Sequence, residues 1–117
     1  PRPVLSFKTK IVAFTRVKKG ETAGYSATFT ANRDTLLAVL PVGYGDGYKR
    51  MLSNKGDVLI AGKRAKICGN ICMDMTLVDV TDIPDADLGS EAVLIGTQGN
   101  EKITADEIAE KCQTISY

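Results

Sequence analysis

The feature that most constrains this chain is a period of two. Leu5, Phe7, Thr9, Ile11, Ala13, Thr15 and Val17 alternate with Lys8, Lys10, Arg16 and Lys18. Successive side chains of an extended strand point to opposite faces, so the pattern predicts one long strand with a core face and a wetter face. Lys18-Lys19-Gly20-Glu21 supplies a turn, and Tyr25 to Ala31 reads as a second alternating strand. Leu36 to Val42 is a continuous apolar run, the mark of a strand buried on both sides. Pro41 restricts it to an edge position or to the strand's exit, because proline donates no ladder hydrogen bond. Val58–Ile60 and Arg64–Cys68 flank Gly62 as a hairpin, Ile71–Thr81 reads as a β-branched strand, and Ala92–Ile95 as a short one.

Only one helix is marked. Thr104 and Glu107 have the spacing of a capping box, and Ala105, Ile108, Ala109 and Cys112 make a single apolar stripe behind it. At 117 residues the chain is sized for one domain, with no internal repeat and no composition break. The expected fold class is therefore mainly β: a small antiparallel β-barrel or sandwich-like domain over residues 1–117, with one C-terminal helix.

Composition closes several routes to function. Apolar residues at 44% and charged residues at 25% suit a soluble globular protein. The net charge of +1 gives no general attraction to nucleic acid or anionic membranes. No apolar run reaches the ~18 residues of a membrane span, and no signal-peptide pattern is present. The sequence has no histidine, so a Ser–His–Asp or Cys–His site within it is excluded. Its three cysteines, Cys68, Cys72 and Cys112, lack disulfide or zinc spacing and suit a reducing, cytoplasmic setting.

Four features could carry chemistry, each with a plainer reading beside it. Gly43-Tyr44-Gly45-Asp46-Gly47 could wrap amides around an anion, but it lacks P-loop and dinucleotide spacing and reads more simply as a strand-exit turn. Tyr25 could work as an acid or base, given a cation to favour its phenolate, or be a half-buried strand tyrosine. Met73 and Met75 read as core methionines on one strand face, with Asp74 turned the other way. Lys8, Lys10, Arg16 and Lys18 form a basic row that Val12 and Phe14 interrupt, so it reads as a solvated face with an apolar docking patch.

Taken in order, several segments resemble the C-terminal domain of bacterial alanine racemases. They are Ser6-Phe7-Lys8-Thr9-Lys10-Ile11, Gly24-Tyr25-Ser26-Ala27-Thr28-Phe29, the run from Leu40 to Arg50, and Cys68-Gly69-Asn70-Ile71-Cys72-Met73-Asp74. The resemblance implies a larger (β/α)8 barrel ahead of this domain and a basic, proline-containing tail after it. It also implies pyridoxal 5'-phosphate held on a lysine of that barrel, with no cofactor expected on this domain alone. The cofactor would serve as the electron sink for a carbanion at the substrate α-carbon. Two bases on opposite faces would then interconvert L- and D-alanine for peptidoglycan precursor supply: the attachment lysine, and a tyrosine from the second subunit of a homodimer.

By the same resemblance, Tyr25 matches that tyrosine, Tyr44 lines the inner substrate site, and the backbone N–H of Met73 meets the substrate carboxylate. Arg50 and Asn70 match an access corridor, and Tyr117 matches the tyrosine of a late Ile-Ser-Tyr segment that reaches the cofactor phosphate. Met75 stands where the family usually has glutamine, and Asn70 where some members have arginine. Two other readings remain open on the residues alone: a freestanding β-barrel module binding nucleic acid or protein, and a dimerisation domain with no catalytic residue.

Overall fold

The computed structural model describes residues 6–23, 29–42, 56–72, 74–104, 106–108 and 110, with backbone only at 70–72. Within them lie the strands β1 (Phe7–Lys10), β2 (Ala13–Val17), β3 (Thr22–Ala23), β4 (Phe29–Thr30) and β5 (Thr35–Leu40). They continue as β6 (Asp57–Ile60), β7 (Lys63–Cys72), β8 (Met75–Asp79), β9 (Glu91–Gln98) and β10 (Glu101–Ile103). Residues 106–108 and 110 are helical. One antiparallel sheet runs in the order β1-β9-β6-β7-β8-β5-β2, with β10 also paired to β9, and β3–β4 forms a separate two-stranded hairpin.

The predicted long first strand is two strands. Ile11 exchanges backbone hydrogen bonds with the loop before β9, to Ser90 at 3.0 Å and from Gly89 at 2.8 Å, whereas the next amide, Val12, donates to Val39 of β5 at 3.0 Å. The chain thus changes ladder at Ile11–Val12 and passes from one outer strand of the sheet to the other. Two residues reach no more than ~7 Å, so the sheet must curl to bring its outer strands that close. No ladder joins β1 to β2, so the sheet is sandwich-like and is not closed into a barrel.

Alternation on the central strands buries both faces. Ala38, Leu40, Val58, Ile60, Ile67, Val78, Ala92 and Leu94 form the main core inside the curl, and Ile11, Val80 and Ile83 join it. On the outer face, Leu37, Val39, Cys68 and Leu77 are covered by the β3–β4 hairpin through Ala23 and Phe29. Farther along that face, Leu59 and Val93 are covered by Ile103 of β10 and by Ile108 of the helix. The continuous apolar run at β5 follows from this arrangement, since each of its residues faces one core or the other. Pro41 stands immediately after Leu40, at the exit of a strand paired on both sides.

The hairpin around Gly62 is present, with β6 and β7 paired from Ile60↔Lys63 to Asp57↔Lys66. Ala61 (φ 52°) and Gly62 (φ 77°) both adopt the left-handed region that a tight two-residue hairpin loop requires. The predicted strand Ile71–Thr81 is instead two strands: Cys72 pairs with Met75, and Asp74 is exposed in the turn between them. The helix cap is realised, as the Glu107 amide donates to Thr104 Oγ1 at 3.1 Å.

Candidate functional site

Of the residues singled out for function, Tyr25, Tyr44, Arg50, Met73 and Tyr117 lie outside the described residues. Asn70 lies on β7, where its backbone pairs opposite Thr76 of β8. What the structure describes is the frame from which the other segments leave. Leu40 of β5 and Asn70 of β7 both pair with Thr76, and Cys72 closes on Met75. The exit of β5 and the β7–β8 turn therefore sit at one end of the sheet.

Thr76 fastens that end. It is 1% exposed, and its hydroxyl donates to the Val42 carbonyl at 2.6 Å. Val42 is itself buried, and its amide donates to Leu40 at 2.9 Å. The residue that precedes Gly43-Tyr44 is thus held against the strand that follows Met73. Chain returns at Gly56, whose carbonyl accepts from the Ile67 amide at 2.9 Å. The described chain thus leaves the sheet at Val42, beside β8, and resumes at Gly56, beside Ile67 of β7.

The β3–β4 hairpin belongs to the same neighbourhood. Its last described pair, Ala23↔Phe29, flanks the segment that holds Tyr25. Both residues pack on the cluster that includes Val39, Cys68 and Leu77, and Met75 packs on it too. The flanks of Tyr25, Tyr44, Met73 and Asn70 are so drawn around one face and one end of the sheet. Tyr117 follows the helix, which packs on the other half of the outer face.

The charges of the frame are arranged for structure. Arg33 forks onto Asp82 at 2.8 and 3.2 Å and lies 3.8 Å from Asp79; this hydrogen-bonded pairing holds the exposed Asp82 carboxyl below its usual range. Burial, helped by Asp79, pushes the Cys68 thiol up to about 12, so it is an inert core thiol and no nucleophile. The basic row is divided: Lys8 and Lys10 lie on β1 and Arg16 on β2, at opposite ends of the strand order. An open groove lined by Arg16, Lys18, Asp34 and Thr81 lies at the far end of β5 from Leu40, away from the site's frame. Among the described residues, no buried polar side-chain atom lacks a partner, and no group of acidic or thiol side chains is arranged for a metal. No described helix is long and apolar enough to cross a membrane.

A second cluster was not foreseen from sequence. Arg64 on β7 meets Asp57 at 3.1 Å, Glu101 at 3.4 Å and Glu107 at 2.7 and 3.1 Å. It also donates to the Lys102 carbonyl at 3.0 Å. These carboxylates hold the guanidinium firmly protonated, Glu107 most of all. The partners lie 7, 37 and 43 residues away in sequence, beyond the reach of any local pattern.

Comparison with known proteins gives consistent results. The family model described as "Alanine racemase, C-terminal domain" matches residues 4–117. An alanine racemase of Halothermothrix orenii is 52% identical over 116 residues, spanning 99% of this chain and 31% of that protein. The crystal structure of alanine racemase from E. faecalis superposes with a TM-score of 0.86 at 32% identity, covering 97% of this chain and 30% of that one. A histidine racemase from Leuconostoc mesenteroides gives 0.85 at 35% identity, over 96% and 30% of the two chains. Alanine racemase from Bartonella henselae, with covalently bound pyridoxal phosphate, gives 0.82 at 31% identity, over 94% and 30%. The chain thus spans about a third of the length of the relatives it matches.

Proposed function

This chain belongs to the alanine racemase C-terminal domain family, and on that premise we propose that it is the β domain of a pyridoxal-phosphate-dependent racemase acting on alanine. The observation that carries this reading is the likeness of nearly the whole chain, 99% of it, to alanine racemases at 52% identity. The parent enzyme would be a cytoplasmic homodimer in which an N-terminal barrel domain precedes residues 1–117. Its product would supply D-alanine to the cell wall.

What this chain offers such a cofactor is limited by its donor set. A lysine attached as a Schiff base reacts through its neutral amine, which requires desolvation or a neighbouring cation. The described lysines, 8, 10, 18, 19, 63, 66 and 102, are all exposed, so burial favours the neutral amine at none of them. The chain's phenols and backbone amides, in contrast, are neutral donors suited to phosphate and carboxylate oxygens. We therefore assign attachment to the preceding domain and the outer contacts to this one. When bound, the cofactor supplies the electron sink that makes the substrate α-proton acidic.

Tyr25 moves a proton at its phenol oxygen on the face opposite the attachment lysine, and does so in the other subunit's site. This reading is supported by the flanking hairpin strands, whose Ala23 and Phe29 rest on a buried cluster. The Met73 amide orients the substrate carboxylate, Tyr44 lines the inner site, and Arg50 and Asn70 line the access corridor. Tyr117 donates to the cofactor phosphate. The Thr76–Val42 bond supports the mutual placing of Met73 and Tyr44, because it joins the chain on either side of both.

The decisive variant is Tyr25→Phe in the full-length enzyme. Solvent exchange of the α-proton should fall by ~10²–10⁴ for one enantiomer of alanine, remain for the other, and leave cofactor binding intact. The measurement is deuterium incorporation into L- and D-alanine, followed separately by NMR. Wild-type exchange of both enantiomers would remove Tyr25 from the reaction.

A further inference from the structure

The open groove beside β2 and β5 is lined by opposite charges that do not pair with one another. It encloses about 300 Å³ between Arg16, Val17, Lys18, Asp34, Leu36 and Thr81. Two of the described arginines, Arg33 and Arg64, fork onto carboxylates, whereas Arg16 forms no ion pair with a described residue, and neither do Lys18 and Asp34. The walls that carry these charges are fixed. Arg16 stands opposite Leu36 in the β2–β5 ladder, so its stem lies beside that side chain on one face of the sheet. The Lys18 amide donates to Glu21 Oε1 at 2.9 Å, the Lys19 amide to Asp34 Oδ1 at 2.9 Å, and the Gly20 amide to the Ala31 carbonyl at 2.7 Å. These bonds tie the turn that carries Lys18 to the turn that carries Asp34. The Thr81 hydroxyl is already engaged, accepting from the Leu36 amide at 3.0 Å and donating to Asp79 at 2.6 Å. The groups left to meet a ligand are the Arg16 guanidinium, the Lys18 ammonium and the second oxygen of Asp34.

That set selects a ligand by its charges. An anion alone would meet the Asp34 carboxylate, and a cation alone would meet the two positive groups. A small molecule that carries both charges satisfies all three. We propose that this groove binds a free α-amino acid with an aliphatic side chain. Its carboxylate pairs with Arg16 and Lys18, its ammonium pairs with Asp34, and its side chain lies on Val17 and Leu36. A cavity of about 300 Å³ is at the small end of ligand sites, enough for one amino acid and too little for a nucleotide or a peptide. The groove lies at the opposite end of β5 from Leu40, and the inference does not rest on the racemase reading.

The test titrates the full-length protein with L-leucine by calorimetry, with thermal unfolding measured in parallel. Asp34→Asn removes the charge yet keeps an acceptor for the Lys19 amide, and Arg16→Gln removes the guanidinium yet keeps a stem beside Leu36. Each should weaken leucine binding by about tenfold, the scale of one charge-assisted hydrogen bond, while the unfolding temperature stays put. A second readout needs no variant. Isocaproate keeps only the carboxylate of leucine and isopentylamine only the amine, and each should bind the unaltered protein about tenfold more weakly than leucine, for the same reason. Leucine binding that survives both substitutions belongs to another site and overturns the proposal. Absence of leucine binding overturns it too, as does isocaproate binding as tightly as leucine, which would make the groove a plain anion site. Failure of the racemase reading would appear in the proton exchange of alanine instead, with leucine binding unmoved.

Discussion

Thr76 and Cys68 are both fully buried on neighbouring strands, yet they act in opposite ways. The Thr76 hydroxyl satisfies a carbonyl that would otherwise cost ~1–3 kcal/mol to leave unpaired. The Cys68 sulfur fills space in the outer-face cluster and resists ionisation. A thiol of the unfolded chain ionises near 9.0, whereas the folded one keeps its proton up to about 12. Between those values the folded state binds more protons than the unfolded state. Its contribution is therefore intact below pH 9.0 and is lost as pH rises toward about 12, at up to ~1.4 kcal/mol per pH unit. Urea unfolding midpoints across that range should fall more steeply for the native sequence than for Cys68→Ala. Equal slopes would mean that the thiol ionises freely in the folded state.

Among the elements, those legible in sequence are those whose cause is local. The Gly62 hairpin, the Thr104 cap and the doubly buried β5 each follow from a few adjacent residues. The break at Ile11–Val12 does not, because alternation shows which face a residue takes but not which strand it pairs with; the ladder changes from β9 to β5 there while the apolar pattern runs on. The turn at Asp74, between Cys72 and Met75, is hidden likewise, since that stretch of sequence lacks glycine and proline and sits inside a β-branched run. β10 passed unnoticed because Glu101-Lys102-Ile103 carries one apolar residue. The site was legible only through likeness to a family, as neither lone tyrosines nor Arg64's distant carboxylates form a local motif. Among the described residues, the one out of keeping with its own backbone is Ala61, a non-glycine at φ 52°. Asparagine tolerates that region better, so Ala61→Asn should stabilise the chain by ~0.5–1 kcal/mol. A denaturant titration checks this, and a lower midpoint would show that the loop resists the change.

At the scale of the whole molecule, the curled sheet encloses one core and leaves its outer face to be covered in two places. The β3–β4 hairpin covers one half and β10 with the helix covers the other. In sequence, each covering adjoins a segment to which the proposed function gives a role: Tyr25 lies between the hairpin strands and Tyr117 after the helix. Nothing in the described part of this chain, however, makes a lysine nucleophilic, because all of its described lysines are exposed to water and burial favours the neutral amine at none of them. Added to the isolated chain, pyridoxal phosphate should give only weak, unsaturable lysine modification, and alanine should keep its configuration. Absorbance titration and chiral analysis of alanine measure the two effects together. A saturable one-to-one cofactor band with turnover would place the complete active site within these 117 residues, and the division of labour between two domains would have to be abandoned.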